Sequence, residues 1–233
     1  MTDFPYGSAL IVGAGSGISA SLARQLSAQG VKVGLAARNV EKLQALAEET
    51  GAGVFAADVS QPASVAALFE EAAAGLGGPE VVIFNASARV RGPLAELDPA
   101  EVEKAIATTA FGGFLVVQQA ARRMIPRGRG AILLTGASAS IKGFAQSAPF
   151  AMGKFALRGL AQSAARELGP VGIHVAHFVI DGAVRSQMRP DRADSPDGTL
   201  LPEAIAQTYL DVLRQHRSAW SLEVEVRPWT ENF

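Results

Sequence analysis

The chain has 233 residues, 48% of them apolar and 18% charged, with a formal net charge of −1 and no cysteine. That length can bury a substantial core. The charge balance offers no basic excess for nucleic acid, and the lack of cysteine excludes a disulfide framework, thiolate metal sites and a cysteine nucleophile. A soluble α/β protein of the reducing cytoplasm fits these numbers. The first apolar run starts near Ser8, and Asp3 stands where a signal peptide carries positive charge, so no targeting segment is expected. The longest uncharged stretch, residues 105–121, contains Thr108, Thr109, Gln118 and Gln119. It reads as a buried or interface helix; a membrane span needs roughly 20 mostly apolar residues.

Short apolar runs alternate with longer helical patterns along the whole chain. Residues 9–12 form a strand that ends in a glycine-rich turn, and 19–29 follow as a helix. Residues 31–36 are the second strand, and 40–50 carry Val40, Leu43, Leu46 and Ala47 at helical spacing. Residues 53–57 are the third strand, and 62–74 a helix with Ser60 as its expected N-cap and proline in its first turn. Residues 81–84 are the fourth strand, 100–124 a long helix after Asp98 and Pro99, and 131–134 the fifth strand. A second long helix spans 147–168 and stops at Gly169-Pro170. Residues 173–180 are the sixth strand, 202–216 a helix and 222–226 a last strand. Repeated strand–helix units imply parallel strands joined by right-handed crossovers. The expected fold is a Rossmann-type, doubly wound parallel sheet of about seven strands, one domain over 1–233. Residues 185–201, rich in Pro, Asp, Gly and Ser, are a candidate lid loop.

The first turn reads Gly13-Ala14-Gly15-Ser16-Gly17-Ile18. Glycines between a strand and a helix allow a tight turn and let backbone amides approach a pyrophosphate, which the helix N-terminus then favours. The second strand ends in Ala37-Arg38-Asn39, without the acidic residue that bonds a ribose 2′-hydroxyl. An arginine there pairs a 2′-phosphate, so NADP(H) is favoured over NAD(H).

With these features the chain resembles the short-chain dehydrogenase/reductase family over nearly its whole length. The resemblance rests on Gly13-x-x-x-Gly17, Arg38, Asp58-Val59, Asn85-Ala86 and Lys154 in Phe-Ala-Met-Gly-Lys. Ala165-Arg166-Glu167-Leu168 before Gly172-Ile173-His174-Val175 adds to it. It implies that Asp58 and Val59 lie by the adenine, that Asn85 and Ala86 turn beside the glycine loop, and that Lys154 holds the nicotinamide ribose. Gly182, Val184 and Ser186 would approach the nicotinamide carboxamide. It also implies a small-molecule substrate, no nucleic-acid or membrane partner, and a homodimer or homotetramer paired through the two long helices.

In that family Asn, Ser, Tyr and Lys carry catalysis, the tyrosine one helical turn before the lysine so that both share a face. This chain has Phe150 at the tyrosine position, Thr109 at the asparagine position, and Ala137 at the serine position with Ser138 beside it and Ser140 beyond. Ser19 and Ser87 replace two further glycines, and Asp181-Gly182 stands where Pro-Gly is usual. Losing a positioned acid removes ~10²–10⁴ in rate. Lys154, Ser138 and Asp181 are the candidate substitutes as proton donor, Lys154 first. Two functions follow: an oxidoreductase of an apolar carbonyl, alcohol or activated double bond with atypical proton delivery, or a catalytically silent NADP(H)-binding relative.

Other residues read as structural. His174 and His177, three apart on a strand, point to opposite faces and form no metal pair, although His177 could face the cleft. Arg89 and Arg91 read as solvated loop residues with some capacity to attract an anion. Arg185, Arg189 and Arg192 are offset by Asp191, Asp194 and Asp197. Phe111, Phe114, Phe144, Phe150 and Phe155 suit core or interface, with Phe144 and Phe150 flanking the nicotinamide side. Trp220, Trp229 and Phe233 are expected to anchor the tail.

Overall fold

A computed structural model describes residues 4–191 and 196–230. The expectations for Arg192, Asp194 and Phe233 fall outside these residues. Seven strands form one sheet: β1 (Ser8–Val12), β2 (Lys32–Ala37), β3 (Gly53–Ala56), β4 (Val81–Phe84), β5 (Gly130–Thr135), β6 (Ile173–Ile180) and β7 (Glu223–Val226). Their order is β3-β2-β1-β4-β5-β6-β7, and every pairing is parallel. Strand order reverses between β1 and β4, which opens a crevice at their carboxyl ends. Val12 pairs with Phe84, so the turns after the two strands begin level, and the Asn85 amide donates to the Val12 carbonyl at 2.8 Å.

The central strands are apolar on both faces because helices cover both. Helices α1 (Ile18–Ala28) and α7 (Pro202–Leu213) pack on one face around Leu22, Ile83, Phe178 and Tyr209. On the other, α3 (Pro62–Leu76), α5 (Gly112–Met124) and α6 (Ala148–Leu168) enclose Leu10, Phe84, Leu134 and Leu157. Truncating one of these leucines to alanine typically costs ~2–5 kcal/mol. At the sheet margin β7 alternates exposed Glu223 and Glu225 with partly buried Val224 and Val226, as an edge strand with one covered face should. No described helix is long and apolar enough to cross a membrane.

Three local expectations are corrected. Ser60 does not cap α3: its hydroxyl donates to Asp58 Oδ1 at 2.7 Å, and Gln61 takes the cap position without a side-chain bond. Residues 40–50 are not one helix but a 3₁₀ turn, Glu41–Leu43, followed by the short α2 (Gln44–Thr50). The long helix over 100–124 is interrupted. It runs as α4 (Pro99–Ile106), capped by Asp98 at the Ala100 amide, then a π-helical stretch, Ala107–Phe111, then α5. Local patterning cannot reveal a π turn, because hydrophobic spacing barely changes across one extra residue; such turns concentrate at functional sites.

Candidate functional site

Three adjoining hollows run along the carboxyl edge of the sheet. The first, about 450 Å³, is lined by Gly13, Gly15, Ser16, Arg38, Lys42, Asp58, Val59, Asn85, Ala86 and Thr108, among others. Asn85 and Ser87 lead from it to a second of about 210 Å³, bounded by Ile18, Lys154, Phe150, Gly182, Val184 and Arg189. Arg89, Ala137, Phe150, Ile180 and Gly182 are shared with a third of about 360 Å³, which adds Arg91, Ser138, Phe144 and Gln146.

The glycine loop is held from two sides. The amides of Gly13 and Ala14 both donate to the Ala36 carbonyl at 2.9 Å. Gly13 has φ +84°, and a Cβ there would meet the Ala86 amide nitrogen at 2.3 Å, so only glycine fits between these turns. Ser19 takes over a strut: Asn85 Nδ2 donates to its Oγ at 2.7 Å, and that hydroxyl reaches the Gly13 carbonyl at 3.5 Å. Gly17 caps α1 without a side-chain bond, and the first turn of α1 has no acidic residue. The amides of Gly15, Ser16, Gly17 and Ile18 donate to no described protein group, and the Cα faces of Gly15 and Gly17 are open. Free amides at a helix N-terminus beside an unobstructed surface fit a pyrophosphate.

At the far end of this cleft the exposed Arg38 and Lys42 stand together. Lys42, in the 3₁₀ turn four residues after Arg38, escaped the sequence reading. The Asp58 carboxyl is held below its usual range by hydrogen bonds from the Ser60 hydroxyl and amide, and by Arg38. Asp58 therefore stays ionised and partly occupied while it lines the first hollow.

Lys154 lines the second hollow. It is 3% exposed, and its Nζ donates to the Thr135 carbonyl at 2.7 Å. Burial, with Arg89 adding repulsion, lowers its pKa to about 7. Phe150, one helical turn earlier on α6, is buried, with its ring centroid 5.8 Å from the Lys154 ammonium. The Arg89 guanidinium lies over the same ring at 4.2 Å; Arg89 is an exposed loop arginine, as expected, with one face packed on Phe150. Burial and repulsion from Arg189 and Arg91 push its pKa down.

The remaining predicted residues divide. Ser138 lines the third hollow next to Ala137, whereas Ser140 is buried and accepts from the Ala137 amide at 3.1 Å. Thr109 is buried on the π-helical stretch, and its Oγ1 accepts from the Ala88 amide at 3.1 Å, tying that stretch to the turn after β4. A Cβ on Gly153 would meet the Thr109 Cβ at 2.9 Å, so glycine lets α6 approach here. Gly182 and Val184 reach the second hollow; Ser186 lies beyond it, its amide bonded to the Arg189 carbonyl at 3.0 Å. Asp181 is buried between Lys142 at 3.7 Å and Arg227 at 3.5 Å and is not among the residues bounding either hollow.

His177 is buried against Gly136, its Nδ1 3.2 Å from Glu223. Burial outweighs that carboxylate and lowers its pKa to about 4, so it is neutral at pH 7. It belongs to the α6–β7 seam, where Glu223 also binds Arg158 at 2.6 Å. His174 stacks on Trp220 with ring centroids 4.7 Å apart, which anchors the tail as expected. Trp229 does not: it is largely exposed. Nor does charge cancel evenly after β6. Arg185 pairs with Asp191 and Asp197, at 2.5 and 3.4 Å, while Arg189 has no carboxylate partner among the described residues.

The short chain dehydrogenase family profile matches residues 8–197. A D-threitol dehydrogenase of Mycolicibacterium smegmatis is 29% identical over 202 residues, covering 84% of this chain and 77% of that protein. A 3-alpha-(or 20-beta)-hydroxysteroid dehydrogenase of Mycobacterium bovis is 30% identical, covering 87% and 75%. The crystal structure of a short-chain dehydrogenase from Rhodopseudomonas palustris aligns with a TM-score of 0.82 at 35% identity, over 96% of this chain and 99% of that one. A metagenomic short-chain oxidoreductase in complex with NADP aligns at 0.84 and 31% identity, over 95% and 97%. Seven parallel strands in this order, free amides at the first turn and the match over residues 8–197 agree: the chain belongs to the short-chain dehydrogenase family and is an NAD(P)-dependent oxidoreductase.

Proposed function

We propose that this chain moves hydride between NADP(H) and an apolar carbonyl compound or its alcohol, or an activated double bond, with Lys154 acting as proton donor in place of a phenol. One observation carries the reading. The Lys154 ammonium is buried on the wall of the second hollow, with its pKa lowered to about 7. A general acid works best when its pKa lies near the working pH. Phe150 stands where the family resemblance places the acid and has no proton to give.

The Gly15–Ile18 amides would hold the pyrophosphate, Asp58 and Val59 would flank the adenine, and Lys154 would approach the nicotinamide ribose. Arg38 and Lys42 support NADP(H), since two cations suit a 2′-phosphate. Bound NADPH supplies the hydride. Lys154 gives a proton to the substrate oxygen, remains as a neutral amine beside the Thr135 carbonyl, and regains a proton from water. Ser138, at the lip of the third hollow, orients that oxygen. Phe111, Phe114, Met152 and Phe155 leave an exposed apolar stripe on the helices spanning 99–124 and 148–168, which supports pairing of two copies there.

NADPH oxidation against a ketone and enone panel tests this between pH 5.5 and 10. The profile of kcat/KM should be level below pH 7 and fall about tenfold per pH unit above it. In Lys154→Arg, which stays charged and can still hold a ribose, the fall should vanish along with most of the turnover. An unchanged break near pH 7 in that variant overturns the role given to Lys154. NADPH binding with no turnover on any substrate, also after Phe150→Tyr, overturns the catalytic reading.

A further inference from the structure

We infer that the substrate carries a carboxylate, which Arg89 and Arg91 receive in the hollow walled by Phe144 and Phe150. This rests on the catalytic reading above and narrows its substrate class. Arg89 and Arg91 line the 360 Å³ hollow, and Arg189 reaches its neighbour, yet among the described residues no Asp or Glu lines either one. Among the described residues none of these three arginines pairs with a carboxylate. Asp181, next in sequence to Gly182 on the wall of both hollows, is taken by Lys142 and Arg227.

Arg89 and Arg91 are both exposed, but the Phe150 ring covers one face of the Arg89 guanidinium. Burial of that face and the two like charges lower the Arg89 pKa. Partly desolvated cations without a counter-charge are unfavourable unless a ligand supplies one. A planar carboxylate can take two parallel N–H bonds from one guanidinium, and such charge-assisted pairs are the strong ones.

The backbone of this hollow is also shaped at a cost. Gln146, on its wall, has φ +59°, a left-handed conformation that a non-glycine residue adopts at roughly 1–3 kcal/mol. Its carbonyl accepts from the Gly92 amide at 3.2 Å, which ties the loop before α6 to the segment bearing Arg89 and Arg91. Phe144 and Phe150 supply the apolar contact for the rest of the molecule. The carboxylate takes no part in bond making: hydride adds at the carbonyl carbon and the proton at its oxygen, as described above.

Binding and turnover can be read apart. Enzyme saturated with NADP⁺ cannot reduce a ketone, so calorimetry with 3-benzoylpropanoate and with its methyl ester measures recognition alone. The acid should bind at least about tenfold tighter than the ester, the worth of one charge-assisted pair. Added salt should narrow the gap. In the double variant Arg89→Gln/Arg91→Gln the gap should close while NADP⁺ affinity stays within about twofold; Arg91→Gln alone should narrow it if the Arg89 change disturbs packing. Equal binding of acid and ester, or no binding of either, overturns the inference. Tight binding of the acid without any NADPH oxidation leaves this site standing and removes the reductase reading instead.

Discussion

Replacing Lys154 by methionine should flatten the dependence of stability on pH, by an amount set by the burial of this ammonium. Lysine ordinarily holds its proton to a pKa of 10.5; in the folded chain that falls to about 7. Between the two values the unfolded state binds the extra proton, so folding is penalised at low pH and recovers as pH rises through the window. Below both values the penalty is roughly 5 kcal/mol, from about 3.5 pH units at 1.36 kcal/mol each. Between pH 6 and 9, roughly 2.5 kcal/mol of it is regained. Lys154 is 3% exposed, so solvent screening hardly reduces the figure. Urea unfolding of wild type and Lys154→Met at pH 6, 7.5 and 9 reads the difference directly. Other titrating groups, such as Arg89, His177 and Glu223, are present in both proteins and largely cancel. So does the lost bond to the Thr135 carbonyl, a constant offset. The wild-type deficit relative to the variant should shrink by about 2.5 kcal/mol across that range. Parallel curves would refute a pKa near 7, and with it the case for Lys154 as an acid at neutral pH.

Phe150→Tyr should raise ketone reduction by ~10²–10⁴ in kcat, since a phenol would enter beside Lys154; steady-state NADPH oxidation measures it. Arg38→Asp should weaken NADPH by about 10–100-fold, the range of a lost charged hydrogen bond, and favour NADH in a fluorescence titration. Gly13→Ala should lower the melting temperature and abolish NADPH binding, because its Cβ would meet the Ala86 amide at 2.3 Å. Phe155→Asp should shift the particle toward monomer in light scattering, with NADPH affinity retained.

The sheet and its glycine loop were legible in the sequence because both are written locally. Apolar runs of four to eight residues mark buried parallel strands, and three glycines between a strand and a helix mark a tight turn. Features that depend on three-dimensional convergence were not legible. Arg89 and Arg189 are 100 residues apart and meet only because β4 and β6 end on the same edge of the sheet. Lys42 joins Arg38 because the chain turns through a 3₁₀ segment at once after β2, where helical spacing suggested a longer helix. Ser60 looked like a cap by position, but an ionised Asp58 two residues back is the stronger acceptor for its hydroxyl.

The chemistry of the second and third hollows holds together when their charges are considered jointly. A phenol at position 150 would need a nearby cation to lower its pKa, and Lys154 would then work as that permanent charge. With phenylalanine there, a permanent positive charge serves no partner, and an apolar ring lowers the dielectric around the amine instead. Arg89, resting on the same ring, adds repulsion and brings the ammonium to the edge of ionisation. An anion seated against Arg89 would remove that repulsion and favour the protonated form of Lys154 when the substrate is in place. Phe150 touches both groups, Lys154 on one side and the Arg89 guanidinium on the other, so under the two proposals above acid strength and substrate charge would be coupled through a single buried ring.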